Sequence, residues 1–468
     1  MTLPMDDLSL PTIEELAQRV SALEGAEPAA EQAPSMLALF NGYIWVAVVA
    51  FLVSVIATPI MRQLALSQGI IDRPSDPRKV HRRPIAYLGG AAVFLGLMFG
   101  ILFSYFAYRF DWLIEFHATE HGTPETLGNP LPVPLSILAG MAVITIVGLL
   151  DDVFHLPPWP KIGGQLFAAA ALAYEDVGVK VAAGLLQPIA NVLGFEDLIF
   201  TVPLGGMSFQ IDLIYWTGTL IIAGFVIGAC NASNLIDGLD GLLTGTTAIA
   251  AMGLLFIAML LALADDGPLD GMRLVLCLAL LGACLGFLPH NFNPASIFLG
   301  DSGSMLMGYT TIVIVLTLGD TGRTNLVIAG LVIYGVPLTD TVLAIVRRKL
   351  AGKSVSVADD QHLHHMLKRA LGVKGAVFVL YAIGLGFAVL GVLLSVSRAR
   401  VGYAASLLFA SYIGIIAIKA ARQAQLEREA DEKATRHELP VTSPRTPAAP
   451  EPSEAVETKT TEESAEPA

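Results

Sequence analysis

Charge is scarce in this chain: 15% of its 468 residues are Asp, Glu, Lys or Arg, against 54% hydrophobic residues, and mean hydropathy is +0.64. A soluble domain carries roughly 25% charged residues, so a soluble globular fold of this length is excluded and a polytopic membrane protein is expected. Cysteine is nearly absent. Cys230, Cys277 and Cys284 lie inside apolar runs, show no CxxC spacing, and read as buried thiols acting as small hydrophobes. No GxxxxGK[ST] loop occurs, which excludes a Walker-type nucleotidase. No internal repeat suggests an inverted-repeat transporter, and no basic patch with interleaved aromatics suggests a nucleic-acid partner. A basic segment leading directly into an apolar core is also missing at the start, where Arg19 is the only base before the first apolar run, so no cleavable signal is expected.

The net charge of −13 belongs mostly to the ends. Residues 1–40 contribute −6 and residues 421–468 contribute −5, leaving −2 for everything between. The chain therefore divides into a polar acidic N-terminal segment over 1–40, a polytopic domain over 41–420, and a Glu-, Pro-, Ala-, Thr- and Ser-rich tail over 421–468. That tail has no apolar face and reads as disordered and solvated.

The expected fold is all-α, with about 11 transmembrane helices. They are placed near 43–61, 87–107, 132–150, 162–174, 213–232, 242–263, 272–288, 303–318, 325–346, 375–395 and 402–419. Lys and Arg concentrate after the first run (Arg62, Arg73, Arg78, Lys79, Arg82, Arg83) and after the ninth (Arg347, Arg348, Lys349, Lys353, Lys368, Arg369, Lys374). The positive-inside rule makes both loops cytoplasmic, which puts the N-terminus outside and the C-terminus in the cytoplasm. Residues 264–271, with three aspartates and no base, agree; Arg398 and Arg400, which fall outside in this scheme, do not. Between the fourth and fifth runs, IFTVPL and MSFQID alternate across Gly205 and Gly206 and read as a small extracytoplasmic β-hairpin.

With this topology the unusual polar clusters share one face. Asp151 and Asp152 end the third run; Asn231, Asn234, Asp237 and Asp240 lie in NASNLIDGLDG after the fifth. HNFNPASIFLGDSGS follows the seventh, and QHLHH, with His362, His364 and His365, follows the ninth. The basic loop DRPSDPRKVHRRP follows the first. Acidic residues near hydrocarbon cost several kcal/mol, so such clusters are candidates for function. Each also has a structural alternative. Paired aspartates can mark a helix end, asparagines can hydrogen-bond between helices, Gly238 and Gly241 can end a helix, and Asp301 can cap the next one. The histidines can be merely exposed, and a basic loop can set topology or bind anionic lipid. Taken together, hard Asp and Asn oxygens suit Mg²⁺, which leaves positions for substrate phosphates. Nearby His and Arg side chains suit diphosphate oxygens, and phosphoryl transfer needs those components.

GLLDD (148–152), NASNLIDGLDG (231–241), FNPASIFLGDSGS (292–304) and HLHH (362–365) resemble, in order, the signatures of the polyprenyl-phosphate N-acetylhexosamine-1-phosphate transferases, glycosyltransferase family 4. The resemblance covers roughly 43–420. It implies transfer of a phospho-sugar from a UDP-amino sugar to a membrane polyprenyl phosphate, with release of UMP. It implies Mg²⁺, with Mn²⁺ as a substitute, held by Asp301 and Asn234. Asp151 and Asp152 match the pair that engages or activates the lipid phosphate. That phosphate is already largely ionised near neutral pH, which favours positioning over proton removal. Asp237 and Asp240 match an orienting or nucleotide-contacting pair, and His362, His364 and His365 match a diphosphate grip. His81 and Arg83 resemble, more loosely, the basic segment before the family's PxxGG, here PIAYLGG. HLHH in place of HHH, the DRP opening and the extra span point to the branch using UDP-N-acetylglucosamine and undecaprenyl phosphate. That branch starts O-antigen or a related cell-envelope glycan at the cytoplasmic side of the bacterial inner membrane. Homodimerisation is a further expectation of the resemblance.

Overall fold

In the computed structural model, residues 35–72, 84–114 (without 108 and 111), 132–264 (without 196, 205 and 206), 269–350 and 363–405 are described, with scattered positions up to 426. The tails over 1–34 and 427–468, and His81, Arg83 and His362, lie outside the described residues.

The elements in chain order are α1 (Met36–Gln68), β1 (Ile71–Asp72), β2 (Ile85–Ala86), α2 (Gly89–Ala107), α3 (Leu135–Phe154), α4 (Pro158–Tyr174) and α5 (Val181–Leu193). They continue with β3 (Ile199–Leu204), β4 (Met207–Asp212), α6 (Leu213–Ile236), α7 (Leu242–Leu263), α8 (Asp270–Asn291) and α9 (Gly300–Thr317). The last three are α10 (Thr324–Ile333), α11 (Gly335–Leu350) and α12 (Leu363–Val396). Two helix starts are capped by their own side chains: Ser35 Oγ accepts from Ala38 N–H at 3.2 Å, and Asp212 Oδ1 accepts from Ile214 and Tyr215 N–H at 2.8 and 3.1 Å.

Seven of the described helices are long and apolar enough to cross a membrane, or eight if the α10–α11 pair, bent by 82°, counts as one span. Helices occupy ten of the eleven expected positions, and the difference has physical causes. At 1.5 Å per residue the 17-residue α4 reaches only about 26 Å against a hydrocarbon thickness of about 30 Å. The eighth position, α9, opens on polar GDSGS and is buried in protein from Ser302 to Thr317. Its threonines close on their own helix, Thr310 and Thr311 Oγ1 donating to the carbonyls of Leu306 and Met307 at 2.8 and 2.7 Å, so polarity is satisfied without water. The eleventh position, 402–419, is described only in part. The first helix also starts at Met36, inside the segment read as a polar tail.

The centre of the bundle is α9, packed on α3, α6 and α2, with α7 and α8 largely buried beside it. β3 and β4 pair antiparallel from Ile199–Asp212 to Leu204–Met207. β1 and β2 pair antiparallel as well, and β2 continues onto the segment before α9, where Phe298 N–H donates to Ala86 O at 2.9 Å. Gly89 and Gly90 N–H return bonds to the carbonyls of Phe298 and Leu299 at 3.0 and 2.8 Å. These bonds tie the PIAYLGG segment to GDSGS.

Candidate active site

Asp152 organises the start of α9. Its Oδ1 accepts from Asp301 N–H at 2.7 Å, and its Oδ2 accepts from Ser302 N–H at 3.1 Å and from Ser302 Oγ at 2.8 Å. A carboxylate from α3 thus satisfies amides that the helix itself leaves without partners, and meets the positive end of the helix dipole. Gly300 makes room for it. Its φ is +73°, and a Cβ there would lie 2.6 Å from Asp152 Oδ2, so both conformation and space select glycine. Gly148 does the same one turn earlier on α3, where a Cβ would lie 2.4 Å from Ser302 Cα. The glycines of GLLDD and GDSGS are therefore two sides of one backbone contact.

Asp301, held by that contact, faces three other helices. Lys161 Nζ on α4 lies 2.8 Å from Asp301 Oδ2 and 2.7 Å from Asp151 Oδ2. Asn234 Nδ2 on α6 donates to Asp301 Oδ1 at 2.7 Å and to Ser304 Oγ at 3.1 Å, which leaves its Oδ1 for a ligand. Asp151 Oδ1 accepts from Leu156 N–H at 2.8 Å and so closes the turn that delivers Lys161. Asn231, by contrast, spends its amide between helices, donating to Gln165 Oε1 and Ile227 O at 3.0 and 2.8 Å.

The DGLD loop between α6 and α7 supplies the next wall. Asp240 Oδ2 accepts from Asn293 Nδ2 at 2.9 Å and Ala295 N–H at 3.0 Å, fixing the FNPAS loop. Tyr381 of α12 donates its hydroxyl to Gly241 O at 2.5 Å and holds the other end of DGLD. Asp237 ends α6, and its carboxyl is pushed up to about 8 by burial first, then by the charges of Asp301, Asp152 and Asp240.

These segments enclose a cavity of about 820 Å³. Asn234, Asp237, Asp240 and Asp301 line it together with Asp72, and the cations Arg62 and Lys368 and the imidazole of His365 line the same space. Asp151, Asp152 and His364 are not among its lining residues. His364 is buried with its Nδ1 3.2 Å from Asp340 Oδ2, and its ring packs against His365 at a centroid distance of 4.2 Å with the planes tilted by 46°.

Among the described residues no group of three or more His, Cys, Asp or Glu side chains forms a metal cage. Mg²⁺ does not need one, because it takes one or two carboxylates and keeps positions for water and phosphate. Asp301 with the Asn234 Oδ1 left by its two donor bonds fits that donor chemistry.

The sequence profile described as glycosyl transferase family 4 matches residues 134–319. The chain is 33% identical over 353 residues to a probable undecaprenyl-phosphate N-acetylglucosaminyl 1-phosphate transferase of Bacillus subtilis (strain 168), covering 74% of this chain and 84% of that relative. The chain belongs to this family. Other family 4 relatives are a decaprenyl-phosphate N-acetylglucosaminephosphotransferase of Mycobacterium tuberculosis (strain ATCC 25618 / H37Rv) and a phospho-N-acetylmuramoyl-pentapeptide-transferase of Bacillus cytotoxicus (strain DSM 22905 / CIP 110041 / 391-98 / NVH 391-98). The first is 32% identical over 339 residues, covering 69% of this chain and 74% of its own length; the second is 30% identical over 363 residues, covering 76% and 99%.

The family 4 profile spans α3 to α9 and includes GLLDD, NASN and GDSGS. The segment around β1–β2 and the histidine helix lie outside that match, yet Asp72, His365 and Lys368 line the same cavity. Three residues that pattern reading does not single out hold these segments in place. Lys161 was visible only as a lone base in PPWPK after the Asp pair, Tyr381 as an aromatic inside an apolar run, and Asp340 as an acid inside the ninth run.

Proposed function

We propose that the protein transfers N-acetylglucosamine 1-phosphate from UDP-N-acetylglucosamine to undecaprenyl phosphate. An oxygen of the lipid phosphate forms a bond to the sugar-linked phosphorus, the bond from that phosphorus to the bridging oxygen breaks, and UMP leaves with that oxygen. The polyprenyl-phosphate sugar-1-phosphate transferase chemistry itself follows from family membership, as do a polyprenyl phosphate acceptor and a nucleotide-sugar donor. The sugar, the undecaprenyl chain and the downstream glycan, O-antigen or a related envelope polymer, are our reading. So are the cytoplasmic orientation of the site in the bacterial inner membrane and the placement of the β3–β4 pair on the opposite side.

The observation that carries the reading is the cavity that Asn234, Asp237, Asp240 and Asp301 share with Arg62, His365 and Lys368. A nucleotide diphosphate needs cations on its oxygens, and a closed set of carboxylates without a counter-charge would repel it. Mg²⁺, held by Asp301 and Asn234, would screen the diphosphate and polarise the reacting phosphorus. The chain's own groups do the rest. Asp152 and Asp240 hold α9 and the FNPAS loop in place, Lys161 keeps Asp151 and Asp301 together, and His365, Arg62 and Lys368 offer donors to phosphate oxygens.

A second donor, UDP-N-acetylmuramoyl-pentapeptide, is favoured by one observation, the 99% coverage of the Bacillus cytotoxicus relative. HLHH in place of HHH favours the first, and other UDP-acetamido sugars share the same chemistry. Purified protein in detergent with undecaprenyl phosphate and a panel of UDP-sugars should release UMP with UDP-N-acetylglucosamine and only with Mg²⁺ or Mn²⁺ present. Turnover in excess chelator removes the metal, and turnover of the muramoyl peptide alone changes the donor. Burial and then the neighbouring carboxylates push the Asp237 carboxyl up to about 8, so its deprotonation as pH rises adds negative charge beside Asp301 and Asn234. The Mg²⁺ concentration for half-maximal rate should therefore fall as pH rises from 6.5 to 8.5.

A further inference from the structure

The histidine cluster has an anchor that the reaction scheme above does not use. Asp340 lies on α11, five residues after the 82° break, and its side chain and that of His364 are each 2% exposed. Its two oxygens divide their work: Oδ1 accepts from Leu363 N–H at 2.8 Å, the first residue of α12, and Oδ2 faces His364 Nδ1 at 3.2 Å. The opposite edge of the same imidazole meets the DGLD loop, where a Cβ on Gly238 would lie 2.6 Å from His364 Nε2. One face of the ring carries His365, 4.2 Å away between centroids, and His365 lines the cavity. One imidazole is thus clamped between α11 and the donor-site loop and supports the next.

We propose that Asp340 and His364 form a positioning pair that sets the ring of His365, and with it the start of α12, against the DGLD loop; this rests on the reading of the cavity as the transferase site. The carboxylate can only accept, so His364 carries its proton on Nδ1, and its Nε2 edge is pressed against Gly238. His364 is a support and His365 the group that meets the substrate. The pairing explains why HLHH keeps two adjacent histidines although they cannot both face the cavity: one is spent inward. It also gives the α10–α11 bend a consequence, because α11 after the break is the element that carries Asp340 to α12.

Removing an oriented support of this kind costs about 10- to 100-fold in activity. The test is a double-mutant cycle in UMP release by the full chain in detergent, with Asp340→Ala, His365→Ala and the double variant, each checked for monodisperse elution. Each single variant should lose about 10-fold or more in kcat/KM, and the double should lose clearly less than the product of the two, because part of what Asp340 does is to place His365. Losses that multiply overturn the proposal, since a general packing defect is independent of His365. If Asp340→Ala does not fold, Asp340→Asn keeps the volume and one acceptor. It should then lie between wild type and His365→Ala, and cost clearly less in the His365→Ala background than on its own. A readout independent of turnover separates this from the reaction itself. In ¹⁵N-histidine-labelled protein, a ring signal of the Nδ1–H form should vanish in both His364→Gln and Asp340→Leu, which leaves Nδ1 without its acceptor. Wild type that turns over no UDP-sugar but shows this signal sinks the donor reading alone; loss of the signal in His364→Gln but not in Asp340→Leu sinks the pair.

Discussion

Asp301→Ala should abolish UMP release, by about 10³-fold or more, while the protein elutes and melts as the wild type does. The two halves of this expectation come from different atoms of one residue. The backbone N–H of Asp301 bonds Asp152 and survives the substitution, so the start of α9 stays capped. The side chain bonds Lys161 and Asn234 and is 26% exposed, so its ion pair is partly screened by solvent and contributes about 1 kcal/mol or less to stability. Asp301→Asn sharpens the test. It keeps the volume and one acceptor but removes the charge, and it should be nearly as inactive as the alanine. Activity close to wild type in the asparagine variant would reduce Asp301 to a packing residue.

Asp152→Ala should behave differently, losing activity and stability together. It strands the amides of Asp301 and Ser302 and the Ser302 hydroxyl in a partly buried contact, with a cost of about 1–3 kcal/mol for each buried group left unpaired. The first turn of α9 then has nothing to hold Asp301 toward Lys161 and Asn234. Asp152→Asn should be intermediate, because its Oδ1 still accepts one N–H while its amide group opposes another donor. Thermal unfolding followed by tryptophan fluorescence, together with turnover, separates the two aspartates. An Asp152→Ala protein that is inactive but as stable as wild type would place Asp152 in direct contact with the reaction instead.

The contrast between these neighbours shows where reading along the chain stops. Apolar runs ending in carboxylates and carboxamides point to GLLDD, NASNLIDGLDG and GDSGS, which the fold brings together, because a charge beside hydrocarbon is costly enough to stand out in one dimension. Spacing alone does not say which member of a pair faces inward. Asp152 turns to the α9 amides and Asp151 to Lys161, and His364 turns to Asp340 while His365 lines the cavity. Those choices are made by partners 10 to 150 residues away. Lys161 was missed for the same reason, since its significance lies in carboxylates from two other helices. Hydropathy also does not register a bend. The stretch 325–346 reads as one apolar run, and its helix breaks at Tyr334 and Gly335 and turns by 82°, as a broken span or a re-entrant segment does. The alternation in IFTVPL and MSFQID was legible because period two is a local signal, and the strands pair from Ile199–Asp212 to Leu204–Met207.

The central claim, that a phospho-sugar and not a sugar alone is transferred, is tested most directly by isotope position. UDP-N-acetylglucosamine carrying ³²P in the phosphate next to the sugar should deliver the label to the butanol-extractable lipid and leave unlabelled UMP in water. Label remaining in a water-soluble nucleotide while the sugar moves to lipid would mean that the anomeric C–O bond had broken, and would contradict the account.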